Sequence, residues 1–198
     1  METFDFTNNE PIENFLILFK EAEDHKVPDA NAMTLATVDS NNCPSQRVVL
    51  YKSMHPKGFT FYTNYLGKKS LDIQNNKNVC LNFYWSQTHK QVRVQGEAEK
   101  LTRAESEAYF KTRPRVSQLG AWASSQSEEI PDFDFLQERF QKFEKEFENK
   151  EVPCPPHWGG FVVIPQLVEF WFARDGRMHE RYLYKRQGSS WKKSFLSP

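Results

Sequence analysis

The segment AMTLATVDSNNCPSQRVVLYK, residues 32–52, decides the fold of this chain. Its first part, Ala32 to Val38, and its last part, Ser45 to Lys52, are rich in β-branched residues, and a polar run from Asp39 to Pro44 separates them. Short apolar runs bounded by Asn, Ser and Pro are typical of strands joined by a turn. A further run of this kind, GFTFYTN from Gly58 to Asn64, follows, so the sequence predicts a meander of antiparallel strands.

The rest of the chain continues this sheet and adds helices to it. Apolar residues at helical spacing behind Pro11 predict an amphipathic helix near the N-terminus. Further helices are expected at 68–76, 103–113 and about 132–148, and further strands at 78–85, 90–101 and beyond residue 160. We therefore expect a mainly β protein of the α+β class, an antiparallel barrel decorated by helices. Residues 1–198 are expected to form one domain, with a helical segment over 1–30 and the barrel with its helical insertions over 31–198.

Composition argues against several classes of function. The 26 Lys and Arg residues balance 26 Asp and Glu residues, so the chain lacks the positive field that attracts nucleic acid. Three scattered cysteines predict neither a disulfide framework nor a zinc site, and they indicate a reducing, cytoplasmic location. None of the five histidines stands at metal-ligand spacing, so no metal is expected. The longest early apolar run, Phe15 to Phe19, is far too short to span a membrane, and no membrane association is expected.

Two lysines, Lys68 and Lys69, open the helix expected at 68–76. The dipole of a helix already makes its N-terminus positive, so two ammonium groups there are unfavourable unless an anion binds. Together with free backbone N–H groups and the hydroxyl of nearby Thr63, they would form a cradle for a phosphate. A solvated pair of lysines is the alternative interpretation of this motif.

A second group of donors lies in YFKTRPRVSQLGAW, residues 109–122. Tyr109, Arg113 and Ser117 recur every four residues, which predicts one shared helix face near the end of a helix at Pro114. Guanidinium and hydroxyl groups donate the charge-assisted hydrogen bonds that phosphate prefers. The motif therefore indicates a second anion site, with an ordinary basic helix C-terminus as the alternative.

A third group lies in VEFWFARDGRMHERYLY, residues 168–184. In an extended segment Arg177, His179 and Arg181 would project from one face beside Trp171, and such a wall suits an anionic, planar ligand. An exposed strand end with solvated charges is the alternative. The chain contains no G-x-G-x-x-G, P-loop or G-x-S-x-G motif, which argues against the common dinucleotide, NTPase and hydrolase classes.

Taken in order, the motifs of this chain resemble those of pyridoxine/pyridoxamine 5′-phosphate oxidases. They are RVVLYK (47–52), FYTNYLGKKS (61–70), QVRVQG (91–96), YFKTRPRVSQLGAW (109–122), SSQS (124–127), VPCPPHWGGF (152–161), VEFW (168–171) and GRMHERYLY (176–184). The resemblance covers the chain from about Met33 to its end. It implies an FMN-binding split β-barrel, and a homodimer that holds FMN in two clefts at the subunit interface. It also implies oxidation of the C4′ position of a phosphorylated vitamin B6 form by O2.

The resemblance further implies roles for individual residues. The implied FMN contacts are Arg47, Val48, Val49, Leu50, Tyr51, Lys52, Tyr62, Thr63, Lys68, Lys69, Gln91, Gln126, Ser127, Trp171 and Arg181. The implied substrate contacts are Lys52, Tyr109, Arg113, Ser117, Arg177 and His179, of which Arg177 and His179 form the catalytic pair. The first donor group would thus hold the FMN phosphate and the second the substrate phosphate.

Four features depart from the family pattern. Lys68 and Phe195 stand where Arg is usual, Phe172 stands where Gln is usual, and the segment before Pro11 lacks a basic, tyrosine-containing stretch that helps cover the substrate. Two alternatives therefore stay open. One is a flavin oxidase of the same fold that acts on another substrate, such as a phenazine-type compound. The other is a non-catalytic protein that binds FMN or pyridoxal phosphate.

Overall fold

The computed structural model describes residues 3–198, and in it the meander begins a nine-stranded antiparallel sheet. The strands are β1 (Ala32–Val38), β2 (Pro44–Leu50), β3 (Met54–His55), β4 (Gly58–Asn64), β5 (Asn78–Trp85), β6 (Lys90–Lys100), β7 (Trp158–Phe172), β8 (Glu180–Gln187) and β9 (Ser190–Phe195). The helices are α1 (Pro11–Asp24), α2 (Lys68–Asn75), α3 (Arg103–Lys111), α4 (Arg115–Ala123) and α5 (Phe133–Glu146). The expected mainly β architecture with decorating helices is confirmed.

The long strand β7 organises the sheet because it changes partner along its length. The strands follow the order β2-β1-β5-β6-β7-β4-β3, and β8 and β9 continue from β7. Residues 158–163 of β7 pair with β4, whereas residues 167–172 pair with β8. Between them β7 bulges opposite Gln95 and Gly96 of β6, where Gln166 is the extra residue and the adjacent Pro165 is tolerated at such an irregularity. A Cβ on Gly96 would lie 2.1 Å from the carbonyl oxygen of Ile164, so this close approach requires glycine. The result is an antiparallel split barrel.

The main core lies inside this barrel, and α1 closes it. The inner positions of β1 and β5 alternate with partly or fully exposed ones, and Leu35 and Leu81 are fully buried there. From α1, Phe15 and Leu18 pack into the same core. Each buried side chain of this size stabilises the fold by about 1.5–3 kcal/mol.

The segment before α1 is fastened to the sheet by aromatic packing. Phe4 lies 4.9 Å from Phe172, and Phe6 lies 4.9 Å from Phe195, measured between ring centroids. Lys193 Nζ donates hydrogen bonds to the carbonyl oxygens of Phe6 (3.0 Å) and Thr7 (2.8 Å). Phe172 and Phe195, two of the departures noted in the sequence, therefore hold the N-terminal segment in place.

The helices α3, α4 and α5 form a second apolar cluster beside β7. Phe110, Leu119 and Phe147 are its buried helical or helix-end members, and Trp158 joins it from the start of β7. A capping box of Thr102 and Glu105 begins α3, as its sequence favours. The helix α4 was not expected, because Pro114 was interpreted as an end. Pro114 is in fact the N-cap of α4, a position where proline is compatible with a following helix.

No helix within residues 3–198 combines the length and the apolar character that crossing a membrane requires. That residues 1–198 constitute one domain stays a prediction.

Candidate functional site

A cavity of about 1000 Å³ opens between β2, β4, α2, α4 and the turns that flank α4. Among the residues implicated by sequence, it is lined by Arg47, Val48, Val49, Leu50, Lys52, Tyr62, Thr63, Lys68, Lys69, Tyr109, Arg113, Ser117, Gln126 and Ser127. Its volume lies at the upper end of the range for small-molecule sites. The two donor groups inferred separately from the sequence thus line one cavity.

Lys69 lies at the floor of one end of the cavity. Its side chain is 8% exposed, and Nζ donates hydrogen bonds to Thr63 Oγ1 (3.1 Å) and Gln126 Oε1 (2.6 Å). Burial, together with the neighbouring Arg47, lowers the pKa of Lys69 to about 8. No carboxylate neutralises this ammonium within residues 3–198, since its hydrogen-bond partners are a hydroxyl and an amide. A buried cation of this kind favours a bound anion.

Arg47 is held in place by a buried network centred on Asp72. Its Nη1 donates to Thr37 Oγ1 (2.7 Å) and its Nη2 donates to Ser45 Oγ (2.6 Å). Both hydroxyls in turn donate to Asp72 Oδ2, at 2.7 Å from Thr37 and 3.3 Å from Ser45. Burial raises the pKa of Asp72, but the hydrogen bonds from Thr37 and Lys68 outweigh it and hold the pKa below its usual range. Asp72 therefore stays ionised and orients Arg47 through two hydroxyl groups.

Lys68 differs from Lys69 although the two are adjacent. It is half-exposed, and its Nζ lies 3.1 Å from Asp72 Oδ1 and 3.7 Å from Asp39 Oδ2. The hydrogen bond to Asp72 raises the pKa of Lys68. The first lysine of the pair is thus neutralised by carboxylates, and the second carries the buried charge that faces the cavity.

The second donor group, Tyr109, Arg113 and Ser117, lies toward α3 and α4. The single shared helix face that the sequence predicts for it is wrong. Tyr109 belongs to α3, Arg113 lies in the link, and Ser117 belongs to α4, so they do not share the face of one helix. The link between the helices brings the three side chains to the same cavity nonetheless. Arg113 Nη1 is buried and has no hydrogen-bond partner among residues 3–198. Such a buried donor is costly unless a ligand accepts from it.

A set of aromatic rings connects the two ends of the cavity. The rings of Tyr62 and Tyr109 stack with centroids 3.9 Å apart, and Trp158 stacks on Tyr62 at 5.5 Å. Burial raises the pKa of Tyr62 to about 12, so its hydroxyl stays protonated and can donate. The sequence reasoning did not single out Trp158. A signal for Trp158 was present in the sequence, because two glycines follow it and consecutive glycines indicate a close approach of the backbone to other groups. In the structure Gly160 makes such an approach, since a Cβ there would lie 2.8 Å from the Tyr62 ring.

Five implicated residues lie outside this cavity, on the outer face of the sheet or beside it. Gln91 pairs with Trp171 across β6 and β7, and Trp171 pairs with Arg181 across β7 and β8, so these three form a row. His179 lies against Trp171, with ring centroids 4.6 Å apart. Arg177 does not continue an extended wall, because it ends a 3₁₀ turn and has a left-handed φ of 62°. The expectation that Arg177, His179 and Arg181 project from one extended face is therefore wrong, although His179 does lie near the row.

Tyr51 is also outside the cavity, because it points into the main core, where it packs edge-on against Phe15. Arg181 is engaged within its own chain. Its Nε donates to Glu169 Oε1 (2.8 Å), and Arg93 Nη1 donates to Glu169 Oε2 (3.1 Å). Glu169 is 4% exposed, so this outer face carries a buried carboxylate that is neutralised by two partly exposed arginines.

Two protein-family models match the sequence, and together they cover most of the chain. Residues 19–146 match "Pyridoxamine 5'-phosphate oxidase". Residues 158–198 match "Pyridoxine 5'-phosphate oxidase C-terminal dimerisation region". The chain belongs to the pyridoxamine 5′-phosphate oxidase family.

Relatives of this oxidase family extend over nearly the whole chain. A pyridoxine/pyridoxamine 5′-phosphate oxidase of Bdellovibrio bacteriovorus is 51% identical over 96% of this chain and 98% of its own. That of Acaryochloris marina is 45% identical over 96% of this chain and 87% of its own. Among solved structures, PhzG from Burkholderia lata, in complex with tetrahydrophenazine-1-carboxylic acid, has a TM-score of 0.92 at 28% identity. It covers 96% of this chain and 94% of its own.

Membership of this family makes the chain an oxidoreductase of the flavoprotein type, with FMN as cofactor, as its sequence predicts. The cavity fits such a group, because the buried Lys69 ammonium bonds only to a hydroxyl and an amide and favours an anion such as the FMN phosphate. The chain also carries the dimerisation region of the family over residues 158–198, which includes Trp171, Arg177, His179 and Arg181.

Proposed function

We propose that this protein is an FMN-dependent oxidase that converts pyridoxamine 5′-phosphate or pyridoxine 5′-phosphate to pyridoxal 5′-phosphate. Oxygen accepts the two electrons and is released as hydrogen peroxide, and the amine substrate also takes up water and releases ammonia. The observation that carries the proposal is a single cavity with two separate groups of phosphate donors. One phosphate belongs to the cofactor and the other to the substrate. A cytoplasmic location stays a prediction.

The end of the cavity at Lys69 is assigned to the FMN phosphate. Arg47 and Lys69 supply charge, and Thr63, Gln126 and Ser127 line the same region. A phosphate there displaces the hydrogen bonds that Lys69 now makes to Thr63 and Gln126, or shares them. Val48, Val49 and Leu50 provide an apolar wall and backbone groups for the flavin ring. When bound, FMN supplies the two-electron chemistry of the reaction.

The end of the cavity at Arg113 is assigned to the substrate phosphate. Arg113, Tyr109, Ser117 and Lys52 together offer one guanidinium, two hydroxyls and one ammonium. Each charge-assisted hydrogen bond of this kind contributes about 1.5–3 kcal/mol. Anchoring the phosphate fixes the position of the pyridine ring relative to the flavin. This positioning is the main contribution of the protein to such a reaction.

Arg177 and His179 are assigned to the reacting carbon, and they come from a second copy of the chain. Within one chain they lie apart from the cavity, as do Gln91, Trp171 and Arg181. The outer face of the sheet also exposes Tyr84 (57% exposed), which pairs with Gln91 and extends the row, and a second copy would cover it. In a symmetric dimer each cavity would be completed by the row and the catalytic pair of the other chain. There Arg177 and His179 would orient the substrate amine or alcohol and assist its deprotonation.

Mixing two inactive variants tests this shared site. Arg113→Ala and His179→Ala should each abolish most activity as homodimers, because each removes a different contribution to the site. Co-expressed with separate affinity tags, they form mixed dimers in which one site carries both changes and the other carries none. Random pairing then restores activity to roughly a quarter of the sites. If a site is built from one chain, no activity returns, and the dimer assignment is wrong.

A phenazine-type substrate is the second candidate, favoured by the structural similarity to PhzG. Substrate phosphate distinguishes the two, because a phenazine-type ligand such as tetrahydrophenazine-1-carboxylic acid carries no phosphate. Steady-state peroxide release from pyridoxamine 5′-phosphate and from pyridoxamine decides between them. Equal kcat/KM values for the two amines would favour the second candidate.

A further inference from the structure

Trp158 lies where the aromatic rings of the cavity meet the second donor group. It is 5% exposed, it opens β7, and it lines the cavity. The guanidinium carbon of Arg113 lies 4.6 Å from the centroid of the Trp158 ring. Tyr62 and Tyr109 are nearly parallel to the same ring, with interplanar angles of 13° and 4°. One indole therefore contacts a cation assigned to the substrate and a ring assigned to the cofactor.

Arg113 is held in a way that differs from two other partly buried arginines, Arg47 and Arg181. Arg47 is bound by hydroxyl groups and Arg181 by a carboxylate. Arg113 instead stacks on Trp158 and lies 5.5 Å from the ring of Phe110, and its buried Nη1 has no partner among residues 3–198. Burial lowers the pKa of Arg113, which means that its charge is poorly solvated. Stacking on the face of an indole compensates such a charge without using its hydrogen-bond donors.

Backbone hydrogen bonds fix the main chain of Trp158, and neighbouring rings pack around its indole. Its backbone N–H donates to the carbonyl oxygen of Pro155 (3.1 Å), and its carbonyl oxygen accepts from Arg103 Nη1 (3.2 Å). It pairs with Asn64 at the start of the β4–β7 ladder. The ring of Phe110 meets it edge-on at 5.0 Å. The indole is thus a rigid platform, whereas Arg113 lies in the short link between α3 and α4.

We propose that Trp158 is the positioning residue for the phosphate of the substrate. It holds the Arg113 guanidinium flat against its ring and leaves the donors at the edge of that guanidinium free for a phosphate monoester. A carboxylate partner would neutralise the positive charge of Arg113, which the phosphate dianion needs for binding. The face of an aromatic ring leaves that charge available. The inference rests on the proposed function, in which Arg113 binds the substrate phosphate. It assigns to Trp158 the selectivity for phosphorylated over unphosphorylated substrates.

The test is the phosphate selectivity, defined as the ratio of kcat/KM for pyridoxamine 5′-phosphate to kcat/KM for pyridoxamine. Trp158→Leu removes the platform, and it should lower this ratio about tenfold, mainly through a higher KM for the phosphorylated amine. Trp158→Phe keeps a smaller ring and should lose less. Trp122→Phe is the matched control, because Trp122 packs against Phe143 and Phe147 in the same cluster. It should leave the ratio unchanged.

A double-mutant cycle separates positioning from general loosening. In an Arg113→Ala background, Trp158→Leu should no longer change the ratio, because the residue through which it acts is gone. A structural role alone would lower both kcat/KM values equally and leave the ratio as it was, and this result would overturn the proposal. A ratio that falls as far in the Arg113→Ala background as in the parent would overturn it too.

Binding measurements keep this test separate from the proposed function. If the parent protein oxidises neither amine, the proposed function fails. The selectivity can then be read from equilibrium dialysis as the ratio of affinities for pyridoxal 5′-phosphate and pyridoxal. Trp158→Leu should lower that ratio about tenfold as well. An unchanged binding ratio would refute the role of Trp158 whatever the activity.

Discussion

Replacing Lys69 by Met tests the phosphate cradle through pH. Lys69 has a pKa of about 8 in the absence of a ligand, because burial and Arg47 disfavour its charged form. A phosphate dianion binds the protonated form better, so bound FMN raises this pKa again. Protons are therefore taken up on binding above pH 8, and the affinity for FMN must fall as pH rises through this value.

The size of the effect follows from the titration of one group. At pH 7 nearly all Lys69 side chains are charged, whereas at pH 9 roughly one in eleven is. The Kd for FMN should therefore rise about tenfold between pH 7 and pH 9. The phosphate itself is already a dianion over this range, since its second pKa is about 6. In Lys69→Met the charge is absent at every pH, so the Kd should be about tenfold to a hundredfold higher at pH 7 and should not change up to pH 9.

As pH rises, the Lys69 contribution to the stability of the FMN-free protein should become more favourable while the affinity for FMN falls. The pKa of Lys69 is lower in the folded protein than the usual 10.5, so its burial costs free energy below pH 8, and this cost disappears as pH rises toward 10.5. After allowance for screening by solvent in the cavity, the cost is about 1–3 kcal/mol. FMN-free Lys69→Met should therefore melt at a higher temperature than the FMN-free parent at pH 7, and the difference should shrink at higher pH.

The assay is quenching of flavin fluorescence at pH 7, 8 and 9, with calorimetric melting of the FMN-free proteins. Lys68→Met is the matched control, because Asp72 raises the pKa of Lys68 and keeps it charged throughout this range. It should not remove the rise of Kd with pH. A parent Kd that stays constant from pH 7 to pH 9, or a Lys69→Met variant that keeps the tenfold rise, would refute the assignment of Lys69.

Four other changes have expected outcomes. Arg177→Ala and His179→Ala should each lower kcat/KM for pyridoxamine 5′-phosphate at least about tenfold with normal FMN content, and parent activity in either variant would remove that residue from the mechanism. Phe6→Ala should lower the free energy of unfolding by about 1–3 kcal/mol, because Phe6 packs on Tyr182 and Phe195, and denaturant titration would show it. Glu169→Gln should lower the melting temperature, since it leaves two arginines without their carboxylate, and an unchanged melting temperature would mean that the pairing contributes little.

Much of the fold was predictable because its strands carry strong local signals. The strands at 32–38, 58–64 and 78–85 have the expected bounds, since each is a β-branched or aromatic run that ends at polar residues. The helix α4 was missed because Pro114 normally ends a helix, and nothing local indicates that it caps the next one. The single long strand β7 was read as two runs, because Pro165 interrupts its sequence and only the pairing with Gln95 and Gly96 of β6 shows that the strand continues past it.

The site was predictable in composition but not in geometry. The lysine pair was recognised from its conflict with the helix dipole, and the structure separates the roles of the two lysines through Asp72, which sequence reasoning did not consider. Tyr109, Arg113 and Ser117 meet at one cavity for a reason other than helical spacing, because a turn replaces the expected helix between them. The row of Gln91, Trp171 and Arg181 depends on pairing across three strands, which no single stretch of sequence encodes.

In the function proposed here, FMN and a phosphorylated vitamin B6 substrate share the cavity at Lys69 and Arg113. Adding pyridoxamine 5′-phosphate to the FMN-loaded protein in air, and measuring pyridoxal 5′-phosphate and hydrogen peroxide together, tests this sharing in one experiment. We expect one peroxide for each pyridoxal 5′-phosphate, and a kcat/KM for unphosphorylated pyridoxamine at least about a hundredfold lower. Absence of pyridoxal 5′-phosphate, or equal kcat/KM values for the two amines, would contradict the proposed function.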